Sequence, residues 1–166
     1  MREGVKAGVV VGNPKPKSRT YEAALLVAER LTGAAPGFVL DLADLGAGLL
    51  DWADTAVADA VEAVKGLDLV VVASPTYKAT YTGLLKLFLD RFPADSLAGV
   101  VAVPLMLGGG PGHAMAPEVF LKPVLAEIGA QSPTKALYLI DREYDDPAAL
   151  DPWLALARGP IEAALR

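Results

Sequence analysis

The stretch Leu67-Asp68-Leu69-Val70-Val71-Val72-Ala73-Ser74 constrains the fold more than any other part of the chain. Its run of branched apolar residues lacks the alternation of a half-exposed strand. It predicts a strand buried on both faces, as in the middle of a parallel sheet. Parallel strands need long crossovers, usually helices, and the sequence offers them in order. Gly4 to Gly12 reads as a first Val-rich strand. Ser18-Arg19-Thr20 opens a helix with Leu25, Leu26, Ala28 and Leu31 on its apolar face and Gly33 past its end. Gly37 to Leu42 predicts a second strand, and Asp54 to Lys65 a helix with Val57, Val61 and Val64 along one side. After the central strand, Thr82 to Phe92 reads as a helix with Leu84, Leu85, Phe88 and Leu89 turned inward. Val100 to Leu107 is a fourth strand, although Pro104 sits badly in a sheet interior. A helix to about Ile128 follows, with Gly129 at its end. Lys135 to Ile140 is a fifth strand, Asp141 to Asp146 an acidic turn, and Pro147 and Pro152 mark the start of a last helix or pair of helices. Pro160 is expected to kink or end the first of these.

Five strand-then-helix repeats build an open parallel sheet with helices on both faces. A Rossmann half and a flavodoxin-like sheet both fit this order. The 166 residues suit one domain, 1–166, and the 53% apolar content suits a full core rather than disorder. The absence of cysteine excludes disulfides and thiol catalysis, and the single histidine, His113, argues against a multi-histidine metal site. A net charge of -5 weighs against a nucleic-acid surface but leaves room for a phosphate-bearing ligand with local donors. No apolar run reaches the roughly 18 residues of a membrane span, and the start lacks the pattern of a signal peptide. The expectation is a cytoplasmic protein without membrane or nucleic-acid partners.

In an open parallel sheet, ligands bind beyond the C-terminal strand ends near the topological switch. Three loops of unusual composition leave strands there: 12–20, 74–82 and 107–113. The first is Gly12-Asn13-Pro14-Lys15-Pro16-Lys17-Ser18-Arg19-Thr20 and ends at a helix start. Free backbone N–H groups and the macrodipole favour an anion there. Ser18 and Thr20 add hydroxyls, Arg19 adds charge-assisted donors, and Lys15 and Lys17 raise the local potential. The loop lacks the spaced glycines and Gly-Lys-Ser/Thr ending of a Walker A motif, and no G-x-G-x-x-G follows the strand. An N-capped helix after a basic surface loop is the alternative reading. The second loop, from Ser74-Pro75-Thr76-Tyr77-Lys78 to Gly83, offers a stiff backbone and the flat face of Tyr77, or simply a turn whose tyrosines cover the core. In the third, Gly108-Gly109-Gly110 permits positive φ and close backbone approach to a ring system, or else a flexible bend. His113 suits a base, a cap or a packing residue. Asp141, Glu143, Asp145 and Asp146 read as a solvated turn, Lys122 as reaching solvent, and Trp52 and Trp153 as packing or interface residues.

From about residue 5 to 140 these motifs resemble the NADPH-dependent FMN reductases, a flavodoxin-fold group that includes the reductases of sulfonate monooxygenase systems. Residues 12–20 are similar to that family's G-S-P-x-x-x-S-R-T, and residues 74–86 resemble its second motif most closely. Residues 108–113, with Lys122-Pro123-Val124-Leu125, resemble its third. The resemblance implies a three-layer sandwich with a five-stranded parallel sheet in the order 2-1-3-4-5. It implies that Ser18, Arg19 and Thr20 hold the FMN phosphate, with Asn13 and Lys15 in the same loop. Pro75, Thr76, Tyr77 and Lys78 would line the isoalloxazine. Gly108, Gly109 and Gly110 would approach its pyrimidine end, with His113 closing that motif. It also implies a homodimer or homotetramer with flavin sites near the subunit interface. Asn13 stands where serine is common, and its amide still donates to phosphate. Val119 stands where some sulfonate-type members carry a tyrosine in an irregular helix segment, so their flavin-transfer behaviour is not carried over.

The implied reaction is hydride transfer from the C4 of NADPH or NADH to the flavin N5, which needs no dedicated protein acid or base. FMN then leaves reduced, for example to a flavin-dependent monooxygenase, or stays bound and passes electrons to a quinone or azo dye. Two other readings share the sheet. A flavodoxin-like electron carrier is expected to be more acidic than this chain. A signalling receiver needs aspartates where strand one ends in Gly12-Asn13 and strand three in Ser74-Pro75.

Overall fold

The computed structural model describes residues 4–165. Strands β1 (Ala7–Val11), β2 (Phe38–Asp41), β3 (Leu69–Pro75), β4 (Val101–Gly108) and β5 (Leu137–Ile140) form one sheet in the order β2-β1-β3-β4-β5. Every pairing is parallel, and β3 lies in the middle, paired with β1 from Leu69 to Ala73 and with β4 from Leu69 to Pro75. Residues Leu69 to Ser74 are all buried, as the unbroken apolar run requires.

Alternate side chains feed two separate cores. Val9, Val11, Val71, Ala73, Val103, Leu105 and Leu139 face α1 (Arg19–Thr32) and α5 (Pro147–Ala164). Val10, Val70, Val72, Ala102 and Met106 face α2 (Thr55–Lys65), α3 (Gly83–Leu89) and α4 (Lys122–Glu127). With each buried Val or Leu contributing about 1.5–3 kcal/mol of transfer free energy, these two faces dominate the stability.

Several elements differ from the sequence expectation, each for a local reason. In α1 the fully covered residues are Ala23, Ala24, Val27, Ala28 and Leu31, while Leu25 and Leu26 are only partly buried. Small side chains let this helix sit close to the sheet. Pro104 occupies an internal strand. The N–H groups of Val101 and Ala102 point to β3 and to the β5 side respectively, bonding Asp68 O and Gln131 O. By the same alternation position 104 faces the β5 side, just below Leu105, where pairing with β5 begins. The missing donor therefore costs no ladder bond.

The last helix is continuous through both prolines, so Pro160 does not end it. Pro152, Leu156 and Pro160 lie on one exposed stripe, and water can reach the carbonyls that lose their intrahelical donors. The fourth crossover enters as a short π-helix, Pro117–Leu121, before α4, and Gly129 follows at φ +94°. Lys122 does not simply extend into solvent. Its ammonium bonds Glu118 at 2.7 Å and Thr134 O at 2.8 Å, tying this helix to the approach of β5. No helix among the described residues is long and apolar enough to cross a membrane.

Candidate functional site

The buried polar side chains among the described residues are Asn13, Ser18, Thr20, Asp41, Ser74 and Thr82. All sit at the C-terminal edge of the sheet, at strand ends or helix starts. A chain this apolar has no energetic reason to gather such groups unless each is hydrogen-bonded.

The bonds are specific. Ser18 caps α1 by accepting from Tyr21 N at 3.3 Å. Asn13 donates to Thr20 Oγ1 at 3.1 Å and accepts from Lys15 N at 3.0 Å, which folds the basic loop back on the helix start. Lys17 takes a left-handed backbone, φ 49°, with its N–H on the Asp41 carboxylate at 2.9 Å. Its ammonium donates to Tyr21 Oη at 3.1 Å and sits 4.2 Å from the ring centroid, and that hydrogen bond raises its pKa.

The second loop is locked to the first. Thr82 caps α3, accepting from Leu85 N at 3.1 Å, and its hydroxyl donates to Gly12 O at 2.6 Å. Ser74 Oγ accepts from Thr82 N at 3.0 Å. A Cβ on Gly12 would stand 2.4 Å from that of Leu85, so only glycine lets β1 end this close to α3. Between Ser74 and Thr82, Tyr77 and Thr80 exchange backbone hydrogen bonds across Lys78 (φ 51°) and Ala79 (φ 71°). Two left-handed central residues make this a type I′ turn built without glycine, a strained choice.

The third loop departs from expectation. None of Gly108, Gly109 and Gly110 has positive φ. Gly108 closes β4 rather than belonging to irregular chain, and a Cβ there would lie 2.0 Å from Tyr138 Oη. Tyr138 donates to Gly110 O at 2.7 Å and so fixes the bend. Burial pushes the Tyr138 phenol above its ordinary value, partly offset by the Thr76 hydroxyl beside it.

These loops enclose a cleft of about 260 Å³. Asn13, Thr20, Pro75, Thr76, Tyr77, Gly108 and Gly109 line it, as the motifs predict, together with Leu107 and Asp141, which they do not. Ser18 is buried as the helix cap and is not among the lining residues. Arg19 stands at the rim, paired with Asp141. Lys15 and Lys78 are exposed. Gly110 is not among the lining residues, and its carbonyl accepts from Tyr138. His113 is exposed in the 3-10 turn Pro111–His113 and faces a neighbouring apolar groove with Met115, Val119 and Phe120. Trp52 is exposed and stacks on Arg91, 4.8 Å from the ring centroid, while Trp153 donates to Lys135 O at 2.8 Å.

The fit to a phosphorylated flat ligand can be tested on the donors. The N–H groups of Arg19 and Thr20 are the first of α1 and lack intrahelical acceptors. The Thr76 hydroxyl is buried at the cleft wall without a well-formed hydrogen bond. Anion donors at one end and a buried, weakly engaged hydroxyl beside a Tyr and Pro surface at the other suit a ring carrying a phosphate tail. Residues that sequence reasoning missed are Asp41, Thr82, Tyr138 and Asp141. Only Thr82 left a trace, as a threonine before an apolar helical run.

A doubly wound parallel sheet whose polar cleft opens at the switch between β1 and β3 defines a flavodoxin-like α/β protein. Within that class the chain belongs to the NADPH-dependent FMN reductase family, whose sequence model matches residues 5–145. It is 30% identical over 157 residues to the NADH-dependent FMN reductase SfnF of Pseudomonas putida, covering 89% of this chain and 84% of that protein. It is 39% identical over 85 residues to the FMN reductase (NADPH) of Escherichia coli strain K12. That second match takes in 51% of this chain and spans less than half, 44%, of the relative. The apo form of the NADH:FMN oxidoreductase EMOB superposes with a TM-score of 0.81 at 30% identity, over 96% of this chain and 87% of that one.

Proposed function

We propose that this chain is an NAD(P)H-dependent FMN reductase whose flavin lies in the cleft between the Asn13–Thr20 loop and Gly108–Gly109. The observation that carries the reading is the set of buried, hydrogen-bonded polar side chains gathered at the sheet switch, next to a helix start whose Arg19 and Thr20 N–H groups lack intrahelical acceptors. In this reading Ser18, Arg19, Thr20 and Asn13 hold the phosphate, with Lys15 raising the potential. Pro75, Thr76 and Tyr77 support the ring, and Lys78 stands at its open side. Gly108 and Gly109 bring backbone to the pyrimidine end, fixed by Tyr138.

When bound, the flavin supplies the hydride acceptor for the nicotinamide. The protein's part is to hold the ring flat, leave one face open for the nicotinamide and keep the phosphate neutralised. The exposed Met115, Val119 and Phe120 beside the cleft support assembly of copies with flavin sites close to the subunit interface. Release of reduced FMN to a flavin-dependent monooxygenase is the onward step in this reading.

The test is a flavin titration with and without NADPH or NADH under anaerobic conditions. Wild type is expected to bind FMN and bleach its colour on adding nucleotide. The Ser18→Ala/Arg19→Ala double variant is expected to bind FMN at least tenfold more weakly, two charge-assisted or helix-start contacts being lost. Equal indifference of both proteins to FMN overturns the reading.

A further inference from the structure

One acid on the cleft wall, Asp141, has no role in the flavin site proposed above. Asp141 leaves the end of β5 with its N–H on Gly108 O at 2.9 Å. Its carboxylate lines the cleft and takes the guanidinium of Arg19, the first residue of α1. The turn it begins is strapped to α1 a second time, where Tyr144 Oη donates to the Glu22 carboxylate. The cation best placed for an incoming phosphate is therefore already engaged. Its side chain is 59% exposed and that of Asp141 40% exposed, so the pair can open without burying a bare charge.

We propose that Asp141 is a specificity-determining residue that occupies Arg19 in place of the flavin phosphate and thereby keeps phosphorylated flavin loosely held and exchangeable. This rests on the FMN-reductase reading of the same cleft. A phosphate monoester brings nearly two negative charges to the seat. Either Arg19 turns from Asp141 to the phosphate and leaves the carboxylate uncancelled beside it, or Arg19 stays on Asp141 and the phosphate goes without its guanidinium. Both oppose binding of the phosphate and leave ring contacts untouched. The penalty falls on FMN and not on riboflavin. An exposed pair of this kind corresponds to about a fivefold change in dissociation constant.

FMN and riboflavin are titrated by flavin fluorescence quenching into wild type, Asp141→Asn, Asp141→Ser and Arg19→Ala, at low and high salt. Both Asp141 variants are expected to bind FMN about fivefold more tightly at low salt, with a smaller gain at high salt. Riboflavin affinity is expected to stay constant, and Arg19→Ala to weaken FMN alone. Unchanged or weaker FMN binding by the Asp141 variants overturns the proposal, because the acid then orients Arg19 or does nothing. An equal gain for both flavins overturns it too, since the effect then acts on the ring. If wild type binds neither flavin, the FMN reading falls and this proposal with it, a result unlike the other two.

Discussion

At the residue scale, the site is a set of short polar links, most of them local and a few joining partners far apart in sequence. Thr82 reaches Gly12 across 70 positions, and Lys17 reaches Asp41 across 24. Glu118 shows how such a link responds to pH. Burial works to raise its carboxyl, but the Lys122 ammonium, the Ala136 N–H and the charge of Lys135 outweigh it, and the pKa falls below its ordinary 4.5. A depressed acid stabilises the fold fully above its unfolded pKa, and that contribution is lost as pH falls through the folded value. Glu118→Gln is therefore expected to cost on the order of 1 kcal/mol at neutral pH and less below pH 4.5. Urea denaturation at pH 7 and pH 3.5 checks this. A cost that does not shrink in acid would show that the carboxylate's charge is not what matters.

At the element scale, the turn Tyr77–Thr80 stands out. Hairpin-like turns with two left-handed centres normally use Asn or Gly. Lys78 and Ala79 hold that geometry with side chains that disfavour it, beside the cleft. Ala79→Gly is expected to stabilise the protein by about 0.5–1 kcal/mol in thermal or urea melts, because glycine removes the strain at φ 71°. A loss of stability would mean that the unfolded-chain entropy of glycine outweighs the strain. The same scale explains α5. Prolines that read as breaks in sequence are harmless where their stripe faces water, and the helix keeps its buried face of Leu150, Leu154, Ala157 and Ile161.

At the scale of the whole molecule, core and cleft share parts. Gly12 ends β1, lies against Leu85 of α3, and presents its carbonyl to Thr82. Gly12→Ala is expected to push α3 from the sheet, cost about 1–3 kcal/mol in a urea melt, and weaken FMN binding in the same protein. Stability lost with flavin affinity intact would separate the two. The alternation of strands and helices, the helices on both faces and the three loops at one edge were legible in the residues themselves, while the sheet order came from the resemblance to the family. Burial periodicity and the handedness of crossovers are local or nearly so, and they leave few topologies. Most of the cleft lining was legible as well, because motif loops announce themselves by composition. What the tertiary structure decided was the company these residues keep. Asp141 begins a turn 122 residues from Arg19, and Tyr138 stands on a strand 28 residues from Gly110, in a stretch that reads as solvated acid and ordinary β-strand. Proximity created by β5 lying beside β4 is a property of the packed sheet, and no local pattern encodes which charge will face which.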